Sequence, residues 1–87
     1  MNVTVDLSYD MSKTFGARRI DVADAATVKD AVDQVRARFA EQGKEFAPLS
    51  RVTAVAVNGV LISHRKGMRT RLSDGDTVAF VKATAGG

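Results

Sequence analysis

The chain has 87 residues, 45% of them apolar and 26% charged, a balance typical of one globular domain and not of a disordered or fibrous chain. It contains no cysteine, which excludes a disulfide framework, a thiolate zinc site and a cysteine nucleophile. The formal charge of +3 is unevenly spread: residues 1–50 sum to −1 and residues 51–87 to +4, so the second half is where an acidic partner or a nucleic acid would be met.

The first ten residues show no basic region followed by an apolar stretch, and no apolar run approaches the ~18 residues of a membrane span. The expectation is a cytoplasmic protein with no leader and no membrane contact. Val3, Val5 and Leu7 alternate with Asn2, Thr4 and Asp6, the period-two pattern of a strand with one apolar face. Residues 15–22 read as a second strand, with Ile20 and Val22 on one side. The polar link 8–14 between them is short enough to predict a hairpin.

The period then changes. Val28, Ala31, Val32, Val35 and Phe39 form one stripe of a helix running from Thr27 to about Gln42. Thr27 is suited to the N-cap, Asp30 to the first turn, Arg36 and Arg38 to the last turns, and Gly43 to the stop. Residues 44–50, with Pro48, read as a loop. Residues 52–57 are a strand apolar on both faces, Asn58-Gly59 is a hairpin turn, and residues 60–62 return. Residues 64–72 are irregular and basic, 73–76 form a turn, and 77–81 are the last strand.

One helix covers only one face of such a sheet. The predicted core is Val5, Ile20, Val28, Val32, Val35, Phe39, Val55, Val78 and Phe80. The opposite face, with Val81 and Leu61, is either a partner-binding surface or a face whose small residues, Ala54, Ala56 and Ala79, expose little area.

The element order, together with VAVNG at 55–59, LSDGDTVAFV at 72–81 and a final AGG, resembles the MoaD/ThiS-type ubiquitin-like sulfur carriers, relatives of the molybdopterin synthase small subunit and the thiamine sulfur carrier. The resemblance implies an α+β ubiquitin-like β-grasp fold: a mixed five-stranded sheet with one main helix over residues 1–82, and a tail, 83–87, ending in Gly-Gly. It implies that an E1-like adenylyltransferase uses ATP with Mg to adenylate the carboxylate of Gly87. Sulfur then replaces AMP, and the Gly87 thiocarboxylate serves a sulfur-accepting synthase or large subunit. On this reading the chain is a carrier and not an enzyme, and it binds no cofactor or metal itself.

The chemistry agrees with the residue types. A carboxylate at neutral pH is a poor electrophile until it gains a leaving group. Gly86 and Gly87 lack a Cβ, so a narrow channel can close around them. Five tail residues reach roughly 16 Å. The chain length and the 39–50 connection look like the molybdopterin type, but prolines common there before the Gly-Gly are replaced by Lys82-Ala83-Thr84-Ala85, and the Ala-Gly-Gly ending is shared with thiamine-type and cysteine-biosynthetic carriers, so the resemblance leaves all three pathways open. Other readings are a ubiquitin-like modifier joined to lysines through Gly87, and a binding module whose Gly-Gly is merely a frayed end.

Asp74 and Asp76 suit a turn better than a cation site, since further ligands are wanting. His64 has no partner set for a triad. Arg65, Lys66, Arg69 and Arg71 carry no interleaved aromatic residues, which argues against nucleic acid and for a solvated loop or an acidic partner. No Gly-rich phosphate loop occurs, so ATP would be bound by the partner.

Overall fold

In the computed structural model, residues 2–83 are described. Strand β1, Val3–Asp6, buries Val3 and Val5 and leaves Thr4 and Asp6 half-exposed, as the alternation requires. The segment after it departs from the predicted hairpin link. Tyr9–Phe15 is a helix, α1. The Ser8 hydroxyl accepts the Met11 N–H at 3.3 Å, and Gly16 closes the helix at φ +94°, where a Cβ would be strained. Tertiary burial stabilises so short a helix: Met11 is fully buried and Phe15 stacks on Phe39 at 5.0 Å. Strand β2 therefore starts at Arg19, not at Phe15, and ends at Val22. It pairs antiparallel with β1, with Val5 opposite Ile20.

Helix α2, Val28–Glu41, has the predicted stripe as its buried face. Its start is a reciprocal cap: the Thr27 hydroxyl accepts the Asp30 N–H at 3.3 Å, and the Asp30 carboxylate accepts the Thr27 N–H at 3.1 Å. The region expected to be a plain loop contains a short helix, α3, Ala47–Ser50, with Pro48 in its first turn where the missing N–H costs nothing. Phe46 just before it is buried edge-on between Phe39 and Phe80, at 5.3 and 5.7 Å.

Strand β3, Thr53–Val57, turns at Asn58-Gly59 into β4, Val60–Leu61. Ile62 does not extend β4; it opens a 3-10 turn, Ile62–His64, followed by another, Gly67–Arg69. Strand β5 is Thr77–Lys82. The sheet order is β2-β1-β5-β3-β4, with β1 and β5 parallel and the other pairs antiparallel. This is the expected mixed five-stranded α+β sheet with one main helix. The predicted core residues are buried except Val55, which packs half-buried against the cluster. Met11, Phe46, Val57 and Leu72 belong to the core as well.

Candidate functional site: the open sheet face and the end of the last strand

The strand register places side chains on the face turned away from α2. Leu61, Ala56, Ala79, Asp6 and Arg19 lie in one row across the five strands. Ala54 and Val81 pair in the next row, since paired residues share a face and alternate residues return to it. The half of this face on β3, β4 and β5 is apolar apart from Thr77 at the start of β5. The half on β1 and β2 is charged, with the Arg19 guanidinium on the Asp6 carboxylate at 2.9 Å.

Val81 is 42% exposed and Leu61 37%, whereas Ala56 between them is 5% exposed. The face is thus a shallow apolar strip with two projecting side chains at its margins. Both readings of the sequence meet here: the alanines expose little, and the larger residues expose the rest. Val81 and Leu61, chosen from sequence as partner-binding candidates, stand on this same face.

The chain leaves the sheet beside β3. The Ala83 N–H donates to the Val52 carbonyl at 2.8 Å, one step beyond Lys82. Gly86 and Gly87, the residues expected to do the chemistry, lie outside the described residues, as does most of the 83–87 segment. A groove of about 270 Å³ borders the departure point, lined in part by Tyr9, Arg18, Thr53, Val81 and Lys82. Tyr9 is 71% exposed and takes the Lys13 ammonium over its ring, 5.2 Å from the centroid. Sequence reasoning missed Tyr9 because it read residues 8–14 as a link; Ser8 as a cap and Gly16 as a stop were the available signals.

The opposite end of β5 is fixed by polar side chains. The Asp76 carboxylate accepts the Ser73 N–H at 2.8 Å and the Asn58 amide at 2.9 Å. Asn58 in turn accepts the Thr77 N–H at 2.9 Å, and Asp74 accepts the Asn2 N–H at 2.8 Å. The Ser73 amide first and the Asn58 amide second hold the Asp76 carboxyl below its ordinary range, with Arg65 adding a weaker pull against partial burial. These carboxylates tie the turn to the Asn58 hairpin. Among the described residues, no cluster of three or more His, Cys, Asp or Glu is placed to hold a metal ion. His64 ends an exposed 3-10 turn. No helix among the described residues is long and apolar enough to cross a membrane.

The ThiS family model matches residues 10–87. A search of curated proteins by sequence gives no match. Among solved structures, a chain of the Amycolatopsis orientalis BexX/CysO complex is 28% identical, with a TM-score of 0.72 over 98% of this chain and 99% of that one. Small archaeal modifier protein 1 from Methanosarcina acetivorans superposes with a TM-score of 0.78 at 20% identity, over 99% of this chain and 96% of that one. A putative molybdopterin converting factor subunit 1 from Pyrococcus furiosus does so with a TM-score of 0.72 at 18% identity, over 97% and 99%. The two matches at or below 20% identity speak to the fold. With a β-grasp sheet, an uncovered apolar face and a family match over most of its length, the chain belongs to the ThiS family.

Proposed function

We propose that this protein is a small sulfur carrier whose working group is the carboxylate of Gly87. The observation that carries this reading is the ThiS match extending through residue 87, which brings Gly86-Gly87 inside the family pattern. An E1-like adenylyltransferase joins the Gly87 carboxylate to AMP from ATP, with release of pyrophosphate. Hydrosulfide then attacks the acyl carbon, the acyl–phosphate bond breaks with AMP as the leaving group, and loss of a proton gives the thiocarboxylate. The chain supplies the electrophile and the docking surface; the partner supplies ATP binding and catalysis.

The open face supports the docking role. Its apolar half includes Val81, on the strand that feeds the tail, so a partner gripping this face also sets the tail's origin. The groove beside Tyr9 and Lys82 widens the contact available at that point. Within this reading, the chain length and the 39–50 connection favour a molybdopterin-type acceptor.

The test is intact-mass spectrometry of the protein purified from its native cell. A gain equal to one sulfur-for-oxygen exchange, mapped to the C-terminal peptide, is expected. Adducts on other proteins through Gly87 would establish a modifier instead. An unchanged mass in the presence of the activating enzyme and ATP would leave a binding module.

A further inference from the structure

Residues 62–72 contain Arg65, Lys66, Arg69 and Arg71 and no carboxylate. The fold pins this segment against the start of α2. Thr70, 3% exposed, is the pin: its hydroxyl accepts the Lys66 N–H at 3.2 Å, its N–H donates to the Gly67 carbonyl at 3.0 Å, and its carbonyl accepts the Val28 N–H at 3.0 Å. The Leu72 N–H donates to the Ala26 carbonyl at 2.9 Å, and Thr27 forms a β-bridge with Arg71.

Between the two segments runs a groove of about 570 Å³ lined by Lys29, Lys66, Met68, Arg69 and Arg71, with Ala26 and Thr27 at the helix start. A second concavity of about 430 Å³ shares Lys66 and Arg71 and adds Arg65. Among the described residues, no carboxylate lines either one. The nearby acids are engaged: Asp30 with the Ala26 and Thr27 amides, Asp33 with Lys29, itself a groove cation, at 2.7 Å, and Asp76 with Ser73 and Asn58. Lys66, Arg69 and Arg71 form no ion pair among the described residues. Lys29 is balanced by Asp33, so the excess positive charge comes from Lys66, Arg69 and Arg71, and three converging cations without an ion-pair partner raise the local potential and favour an anionic partner.

We propose that this groove binds an acidic segment of a protein partner. Arginine forks take carboxylates bidentately, and Arg69 and Arg71 supply two of them. Met68, 39% exposed among the cations, offers an apolar contact that suits a peptide side chain. Among the described residues no aromatic ring lines the groove, so nucleic-acid bases find no stacking platform there. The groove lies at the end of the molecule where α2 and β5 begin, and the chain passes Ala83 at the other end of β5, a strand roughly 17 Å long. A partner held in the groove leaves the open face and the end of β5 free for a second protein. The proposal is independent of any chemistry at Gly87.

The experiment is a titration of the 15N-labelled full chain, at low salt, with a synthetic Glu/Asp-rich peptide carrying one central leucine. Amide shifts confined to the neighbourhood of Lys29, Lys66, Met68, Arg69 and Arg71 are expected. Neutralising Lys66, Arg69 and Arg71 together to Gln weakens binding by about tenfold or more without moving the melting point, because all three side chains are exposed. Absence of shifts, shifts centred on Val81 or Leu61, or a triple variant that binds normally would overturn the proposal. So would a single-stranded RNA that binds more tightly than the peptide at equal salt, which would assign the groove to nucleic acid.

Discussion

Val81 stands directly opposite Ala54 in the antiparallel ladder of β3 and β5, on the face that α2 does not cover. The pair is asymmetric. The alanine is half-buried, while the valine projects beside the last residues of the sheet. On the function proposed above, this exposed side chain on the strand that leads to residue 83 is where a partner would take hold.

Val81→Asp is expected to leave stability within about 0.5–1 kcal/mol of the parent, because the side chain is already exposed. Binding of the activating enzyme should weaken by roughly 2 kcal/mol, about thirtyfold, since the charge must be buried against an apolar surface. Calorimetric titration and a thermal melt on the same preparation check both halves. Normal binding with a lowered melting point would show that Val81 serves the fold and not the interface.

Deletion of Gly87, or addition of one residue after it, should abolish adenylation and leave the melting curve unchanged. One residue displaces the terminal carboxylate by roughly 3.3 Å, comparable with the ~3–3.5 Å separation of reacting atoms. ATP–pyrophosphate exchange with the cognate adenylyltransferase is the measurement. Exchange at the parent rate in the deleted chain would remove Gly87 from the chemistry.

Phe39→Ala should be the most damaging core substitution. Phe39 is fully buried and contacts the rings of both Phe15 and Phe46, so its loss loosens α1, α2 and the approach to α3 together. A cost of about 3–5 kcal/mol is expected, a large share of the ~5–15 kcal/mol typical of a small domain. Urea denaturation at equilibrium gives the value; a cost below ~1 kcal/mol would contradict the packing described.

Asp76→Asn tests the polar knot at the start of β5. The folded carboxyl titrates below its unfolded value, because the Ser73 and Asn58 amides favour the charged form. Its contribution is therefore present above the unfolded carboxylate pKa of about 3.9 and is lost as pH falls through the lower folded value. The variant should be less stable than the parent near pH 7 by at most about 1 kcal/mol, since solvent screens these exposed hydrogen bonds. The gap should close in strongly acidic solution. Denaturation curves across that range decide it, and a gap independent of pH would assign the loss to packing instead of charge.

Local pattern determined a good part of this protein. Helix α2 was legible because its apolar stripe repeats over three turns and Thr27 and Asp30 mark its start, all within a short stretch of chain. The Asn58-Gly59 hairpin was legible because few residues accept positive φ, and Asn58 adopts +48° and Gly59 +86°. The Gly-Gly ending and the DGD turn pointed to the carrier family. Helix α1 was not legible: seven residues with one buried Met and one Phe carry too little periodicity, and the burial that stabilises them comes from Phe39, far along the chain. The same holds for Phe46, which looked like a loop residue until Phe39 and Phe80 enclosed it. Only the tertiary structure set β1 parallel beside β5, which put Asp6 in one row with Ala79 and made half of the open face charged. Only it brought Lys29 of α2 alongside Lys66, Arg69 and Arg71. Patterns of period and turn are written into consecutive residues, whereas a surface is made by residues that the chain's path brings together, and that path is fixed by burying one shared core.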